Sequence, residues 1–150
     1  ADAIVASFAA GAEGRVTGIE VSPLVSTVVG YGLAHFRAEN YPIQEAMRRI
    51  QVVSTDYLSY LQSQPDDSVD VIYFDPMFRH PLQTSANINP LRCVADHRPV
   101  SPAAIIEAKR VARHRIVLKE NSRSREFSRL GFPHIVGGRY SHVHYGMMEL

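Results

Sequence analysis

Short β-prone runs alternate with helix-starting signals along most of this chain, and that alternation constrains its fold more than any other feature. The runs at 15–21, 50–53, 69–74 and 115–119 are dense in Val, Ile, Tyr and Phe, as strands are. Between them, Ser22-Pro23 and Ser101-Pro102 each pair an N-cap residue with a first-turn proline, predicting helices that run to about 37 and 112. A polar break at 39–42 precedes a second helical piece ending near Arg49, and 57–62 has helical spacing before a turn at 65–68. The opening segment 1–10 carries an acid near its start and stops at Gly11, so it reads as a buried helix. Residues 121–130 form a weak helix or a loop. Two final β-like runs, 132–136 and 140–148, flank Gly137-Gly138 and predict a hairpin.

The expected fold is therefore α/β, one domain over 1–150, with a mostly parallel sheet covered by helices on both faces and closed by an antiparallel pair. The strand at 69–74 looks the most buried. The Pro- and Asn-rich stretch 79–100 is too long for a routine connection and is expected to be a lid or substrate loop.

Composition narrows the partners. Residues 1–78 hold four Lys or Arg against ten Asp or Glu, whereas 79–139 hold twelve Lys or Arg against Asp96, Glu107, Glu120 and Glu126. The second half would attract a polyanion, although an Arg-rich solvated surface has the same composition. The lone Cys93 excludes an internal disulfide framework, and no stretch has the length and apolarity of a membrane span or signal peptide. A cytoplasmic protein with no membrane partner is expected. His142 and His144 alternate on one strand face without a third ligand, and Cys93 with His97 is too sparse for zinc, so no metal site is expected.

Three acids stand at three strand ends: Glu20, Asp56 and Asp75. In open parallel sheets the ligand lies outside the carboxyl ends of the strands. A carboxylate at Glu20 can accept both hydroxyl protons of a ribose, which suits a methyl donor and a nicotinamide alike. Asp56 with Tyr57 can bond an adenine edge and cover its face; Asp56 can equally cap the helix at Tyr57.

The most specific feature is Asp75-Pro76-Met77-Phe78. The lone pair of an exocyclic amino group is delocalised into its ring, so methylation needs it aimed at the electrophilic carbon. The Asp75 carboxylate and the Pro76 carbonyl can accept the two amino hydrogens and favour a pyramidal nitrogen. Phe78 can stack on the base, or simply fill the core after a tight turn. His80 is either a polar contact to substrate or a solvated loop histidine.

Asp2-Ala3, Glu20 with Ser22-Pro23, Gly32-Leu33, the stretch from Asp75 to His80 and Ile116-Val117-Leu118-Lys119 resemble the class I S-adenosylmethionine-dependent methyltransferases, in the family of the small-subunit ribosomal RNA guanine-N2 methyltransferase J. The resemblance implies a Rossmann-like, seven-stranded methyltransferase fold. It also implies S-adenosylmethionine held by Asp2, Glu20, Val21, Asp56, Tyr57 and Asp75, and a guanine amino group of ribosomal RNA as acceptor. Where the family continues Pro-His and then several lysines, this chain reads Arg79-His80-Pro81-Leu82; where the family has Arg-Pro, Glu120-Asn121 follow Lys119. The family's first strand and glycine-rich loop belong before Ala1 and are missing from this sequence. A non-catalytic nucleotide- or RNA-binding module of the same fold, and a nicotinamide-dependent Rossmann enzyme, are the alternatives.

Overall fold

The structure is a computed structural model that describes residues 2–76 and 98–150; Met77, Phe78, His80, Cys93, His97 and the expected lid up to His97 lie outside the described residues. The chain divides into two compact units, Ala1–Tyr57 and Leu58–Leu150. Both are mixed α/β, as the alternation predicts.

The first unit runs α1 (Asp2–Ala10), β1 (Val16–Glu20), α2 (Pro23–His35), α3 (Tyr41–Arg48) and β2 (Ile50–Ser54). Its two strands pair in parallel, from Val16 beside Ile50 to Glu20 beside Ser54. Helix α1 stops where Gly11 enters the left-handed region at φ 74°, a conformation that costs glycine little. Helices α2 and α3 start as the sequence directs: Ser22 Oγ accepts from Val25 N at 3.4 Å, and Asn40 Oδ1 accepts from Ile43 N at 3.2 Å. Leu33, Met47 and Ile50 form the core, with Ile4, Val16, Ile43 and Val52 packed against them.

Polar side chains then lock the helices together. Buried Ser7 donates to the Ala46 carbonyl at 2.7 Å, and Arg49 donates back to the Ser7 carbonyl at 3.2 Å, joining α1 to α3. Arg48 donates to the carbonyls of Leu33 and Phe36, satisfying the C-terminus of α2 that would otherwise face water. Helix α1 is less buried than its apolar sequence suggests: Ser7 is its one buried residue, and Val5 and Phe8 are exposed.

Helix α4 (Tyr57–Ser63) crosses the boundary, and the second unit continues with β3 (Val69–Phe74), α5 (Pro102–Val111), β4 (Ala112–Asn121), α6 (Glu126–Arg129), β5 (His134–Val136) and β6 (Val143–Glu149). Its strands lie in the order β3-β4-β6-β5. The first pair is parallel and the other two are antiparallel, and β5 with β6 forms the hairpin expected from Gly137-Gly138. Strand β4 is twice the length of the predicted run, because pairing with β3 starts its ladder at Ala112 and pairing with β6 carries it to Asn121.

The expectation that 69–74 is the most buried strand is corrected. Val71 and Tyr73 are 52% and 41% exposed, whereas Ile116 and Leu118 of β4 are fully buried. Among the described residues β3 has a strand on one side only, while β4 is flanked by β3 and β6. Apolarity alone does not distinguish these two positions.

One arginine organises the start of this unit. Arg110 at the end of α5 donates to the carbonyls of Leu61 and Gln64 and pairs with Asp66 at 2.6 Å and Glu107 at 2.8 Å. The Asp66 and Glu107 carboxylates raise its pKa above the usual guanidinium value. Asp67, at φ 50°, is held in the left-handed region by its amide bond to the Arg110 carbonyl, which turns the chain into β3.

Gly146 sits where a side chain cannot. A Cβ there would lie 2.7 Å from Cδ1 of Phe127 and 3.0 Å from Cγ of Phe132, both buried rings. Gly146→Ala is expected to lower stability by about 1–3 kcal/mol. Gly138→Ala, where the nearest atom is 3.7 Å away, should change it by less than about 0.5 kcal/mol. Urea denaturation of the two variants checks this contrast.

Candidate active site

Hydrogen bonding fixes the carboxyl ends of β1 and β2 at the same level. Thr55 N donates to the Glu20 carbonyl at 3.1 Å, so the chain leaves β2 directly beside the acid that ends β1. Glu20 is half-buried, and its Oε1 accepts from Ser22 N at 2.8 Å. The backbone thus orients the carboxylate on one oxygen, and among the described residues the other has no protein partner. That is an acceptor arrangement a vicinal diol fits, since its two hydroxyls can donate to the carboxylate. Val21 follows, exposed, and Asp56 and Tyr57 stand half-buried at the exit of β2. The first unit therefore brings Glu20, Val21, Asp56 and Tyr57 to one sheet end. Asp2 lies at the start of α1.

In the second unit Asp75 and Pro76 follow directly from β3. Phe74 is level with Leu118 across the parallel ladder, which sets Asp75 beside Lys119. Lys119 Nζ donates to Asp75 Oδ2 at 3.3 Å, and the lysine is mostly buried while the aspartate is 42% exposed. A cation on one carboxylate oxygen restrains the orientation of the Asp75 side chain. The role of Lys119 is not apparent from sequence, because its distance from Asp75 along the chain hides their adjacency. The signal in the sequence is two strand-like runs ending at Phe74 and Lys119, which the pairing of Phe74 with Leu118 brings side by side.

The remaining expectations divide. Phe78, the stacking candidate, lies outside the described residues. Among the described residues no group of three His, Cys, Asp or Glu is placed to hold a metal ion. No helix of the described residues is long and apolar enough to cross a membrane. A cavity of about 440 Å³ lies at the opposite end of the first sheet from Glu20, lined by Glu13, Arg15, Arg49 and Gln51. It contains none of the strand-end acids.

Comparison with known proteins decides what this arrangement belongs to. The profile of a family described as "Putative SAM-dependent methyltransferase" matches residues 1–130. The chain belongs to that family. Its members' cofactor is S-adenosylmethionine, which removes the ambiguity that Glu20 leaves between a methyl donor and a nicotinamide. Among its relatives, the Bacillus subtilis protein YpiP, described as uncharacterized, is 43% identical over 148 residues, covering 99% of this chain and 57% of that protein. Ribosomal RNA small subunit methyltransferase J of Laribacter hongkongensis is 32% identical over 108 residues, covering 70% of this chain and 38% of that enzyme. The chain thus spans little more than half the length of one and less than half of the other. A solved Haemophilus influenzae protein described as a "putative methylase" superposes with a TM-score of 0.48 at 15% identity, covering 90% of this chain and 65% of that one.

Within this chain the cap at Ser22 couples the Glu20 end of β1 to helix α2. Ser22→Ala is expected to cost about 1 kcal/mol. It should also raise amide hydrogen exchange at Val25, while exchange at Ala104, capped separately by Ser101 Oγ at 3.1 Å, stays unchanged.

Proposed function

We infer that this chain forms the donor- and acceptor-binding part of an enzyme that methylates an exocyclic amino group of a nucleobase, with guanine N2 of ribosomal RNA as the acceptor. The observation that carries this reading is Asp75, set by β3 at a strand's carboxyl end and fixed on one oxygen by Lys119. Relatives named ribosomal RNA small subunit methyltransferase J, at 32% and 28% identity, support RNA as the class of substrate. The basic second half of the sequence agrees with it, and a cytoplasmic location follows from that substrate.

S-adenosylmethionine supplies an electrophilic methyl carbon whose leaving group is a neutral thioether. The chain's residues do the rest. Glu20 takes the ribose hydroxyls, with its carboxylate pre-oriented by Ser22 N, while Val21, Asp56 and Tyr57 bound the adenine and Asp2 contributes from the start of α1. Asp75 accepts one amino hydrogen of the acceptor and the Pro76 carbonyl accepts the other, so the nitrogen lone pair is directed at the methyl rather than into the ring. The nitrogen gains a bond to carbon and then loses a proton, which becomes acidic as that bond forms. Asp75 orients the amine without having to act as a strong base.

Labelled S-adenosylmethionine and under-methylated ribosomal RNA test the reaction directly. Label should appear in RNA as N2-methylguanine, and Asp75→Ala should lower its rate by about 100-fold or more while calorimetry still detects donor binding. Undiminished transfer by that variant contradicts the role of Asp75. Glu20→Ala is expected to weaken donor binding by about 10-fold or more, the effect of losing a charge-assisted acceptor. Label in RNA at another amino group would keep the reaction class and replace the acceptor.

A further inference from the structure

The two ends of the four-stranded sheet treat their arginines differently. At the end where β3 and β4 begin, each arginine has an acid: Arg110 pairs with Asp66 and Glu107, Arg113 with Asp70 at 3.2 Å, and Arg115 with Glu149 at 2.7 Å. At the other end, where Asp75 emerges, Arg123, Arg125 and Arg139 are exposed, and none has an ion-pair partner among the described residues. The nearby acids are committed elsewhere. Glu120 is buried with its Oε2 on the Asn121 amide at 2.8 Å, and Glu126 is paired with Arg129.

These three guanidinium groups sit on two loops that the sheet brings together. Asn121 of β4 is level with Val143 of β6, and Ser122 N donates to the His142 carbonyl at 2.9 Å, so the turn at 122–125 and the loop at 137–142 are neighbours. Both are shaped by internal bonds: Ser124 N to the Asn121 carbonyl at 2.8 Å, Arg123 N to Asn121 Oδ1 at 3.0 Å, and Ser141 N to the Gly138 carbonyl at 2.9 Å. In the second loop the Arg139 guanidinium lies 5.6 Å from the centre of the Tyr140 ring, which is 87% exposed. An exposed tyrosine ring beside Arg139, on a loop that neighbours the turn carrying Arg123 and Arg125, is a surface that solvates poorly and pairs well with stacked bases and phosphates. Strand β6 lies two strand spacings from β3, roughly 10 Å, so the loops are one to two nucleotides from Asp75.

We propose that the turn at 122–125 and the loop at 137–142 form a docking lip for single-stranded RNA, with Arg123, Arg125 and Arg139 on backbone phosphates and Tyr140 stacked on a base flanking the acceptor. The proposal rests on the reading of Asp75 as the acceptor site and names how the substrate is held there. The lip recognises the backbone and any base face, so it supplies affinity and register without choosing the target nucleotide.

Fluorescence anisotropy with a labelled 20-nucleotide single-stranded RNA, titrated with the chain over a range of salt, tests this. The triple variant Arg123→Gln, Arg125→Gln, Arg139→Gln should bind about 10-fold or more weakly, and its log affinity against log salt should be shallower by about 2, as for three lost phosphate contacts. A charge-matched variant, Arg15→Gln, Arg37→Gln, Lys109→Gln, should stay within about 2-fold of the parent, because its cations lie elsewhere on exposed surface. Tyr140→Ala should lose roughly 5-fold or more with the salt slope unchanged, a signature that neither misfolding nor lost charge produces. Equal weakening in the two triple variants, unchanged binding in the first, or no RNA binding by the parent overturns the proposal. Preference for a duplex or an acidic peptide over the single strand overturns it too. Loss of methyl transfer in Asp75→Ala leaves these affinities in place, so the lip and the catalytic reading fail separately.

Discussion

Strand β4 holds together the parts of the second unit proposed to act, because its backbone is hydrogen-bonded along both edges and its inward side chains are sealed from water. Ile116 and Leu118 are fully buried, each contributing about 1.5–3 kcal/mol by removal from solvent. With that register fixed, Lys119 has one place to go, beside Asp75, and Asn121 delivers its turn against β6. A slip of one residue would send Lys119 to the other face of the sheet and leave the carboxylate without its cation. The proposed catalytic arrangement and the proposed RNA lip therefore depend on one ladder.

The first unit reaches a similar end by a different route. Its core is small, and polar side chains carry part of the load: Ser7 and Arg49 join α1 to α3, and Arg48 closes the end of α2. This leaves the strand ends free to carry Glu20, Asp56 and Tyr57.

Much of this was legible in the sequence because local chemistry governed it. The Ser-Pro pairs placed α2 and α5, the run from Val69 to Phe74 became a strand over those same residues, and the glycine pair marked the hairpin. What depended on neighbours was not legible. The apolarity of β3 suggested burial, yet its neighbours leave Val71 exposed; the length of β4 comes from pairing with both β3 and β6; and the partnership of Asp75 with Lys119 follows from a parallel register. The same limit applies to charge. Composition identified a basic second half, but the division into paired arginines at one sheet end and unpaired ones at the other exists only in the folded chain.

The central claim is that the carboxyl ends of the parallel strands hold the ligand. Nuclear magnetic resonance of the isotope-labelled protein titrated with S-adenosylhomocysteine, the product form of the donor, tests this most directly for the first unit. The account expects the amides of Val21, Ser22, Asp56 and Tyr57 to shift, with little change at Glu13, Arg15 and Gln51. Shifts confined to that opposite end, with Val21 and Asp56 unmoved, would contradict it.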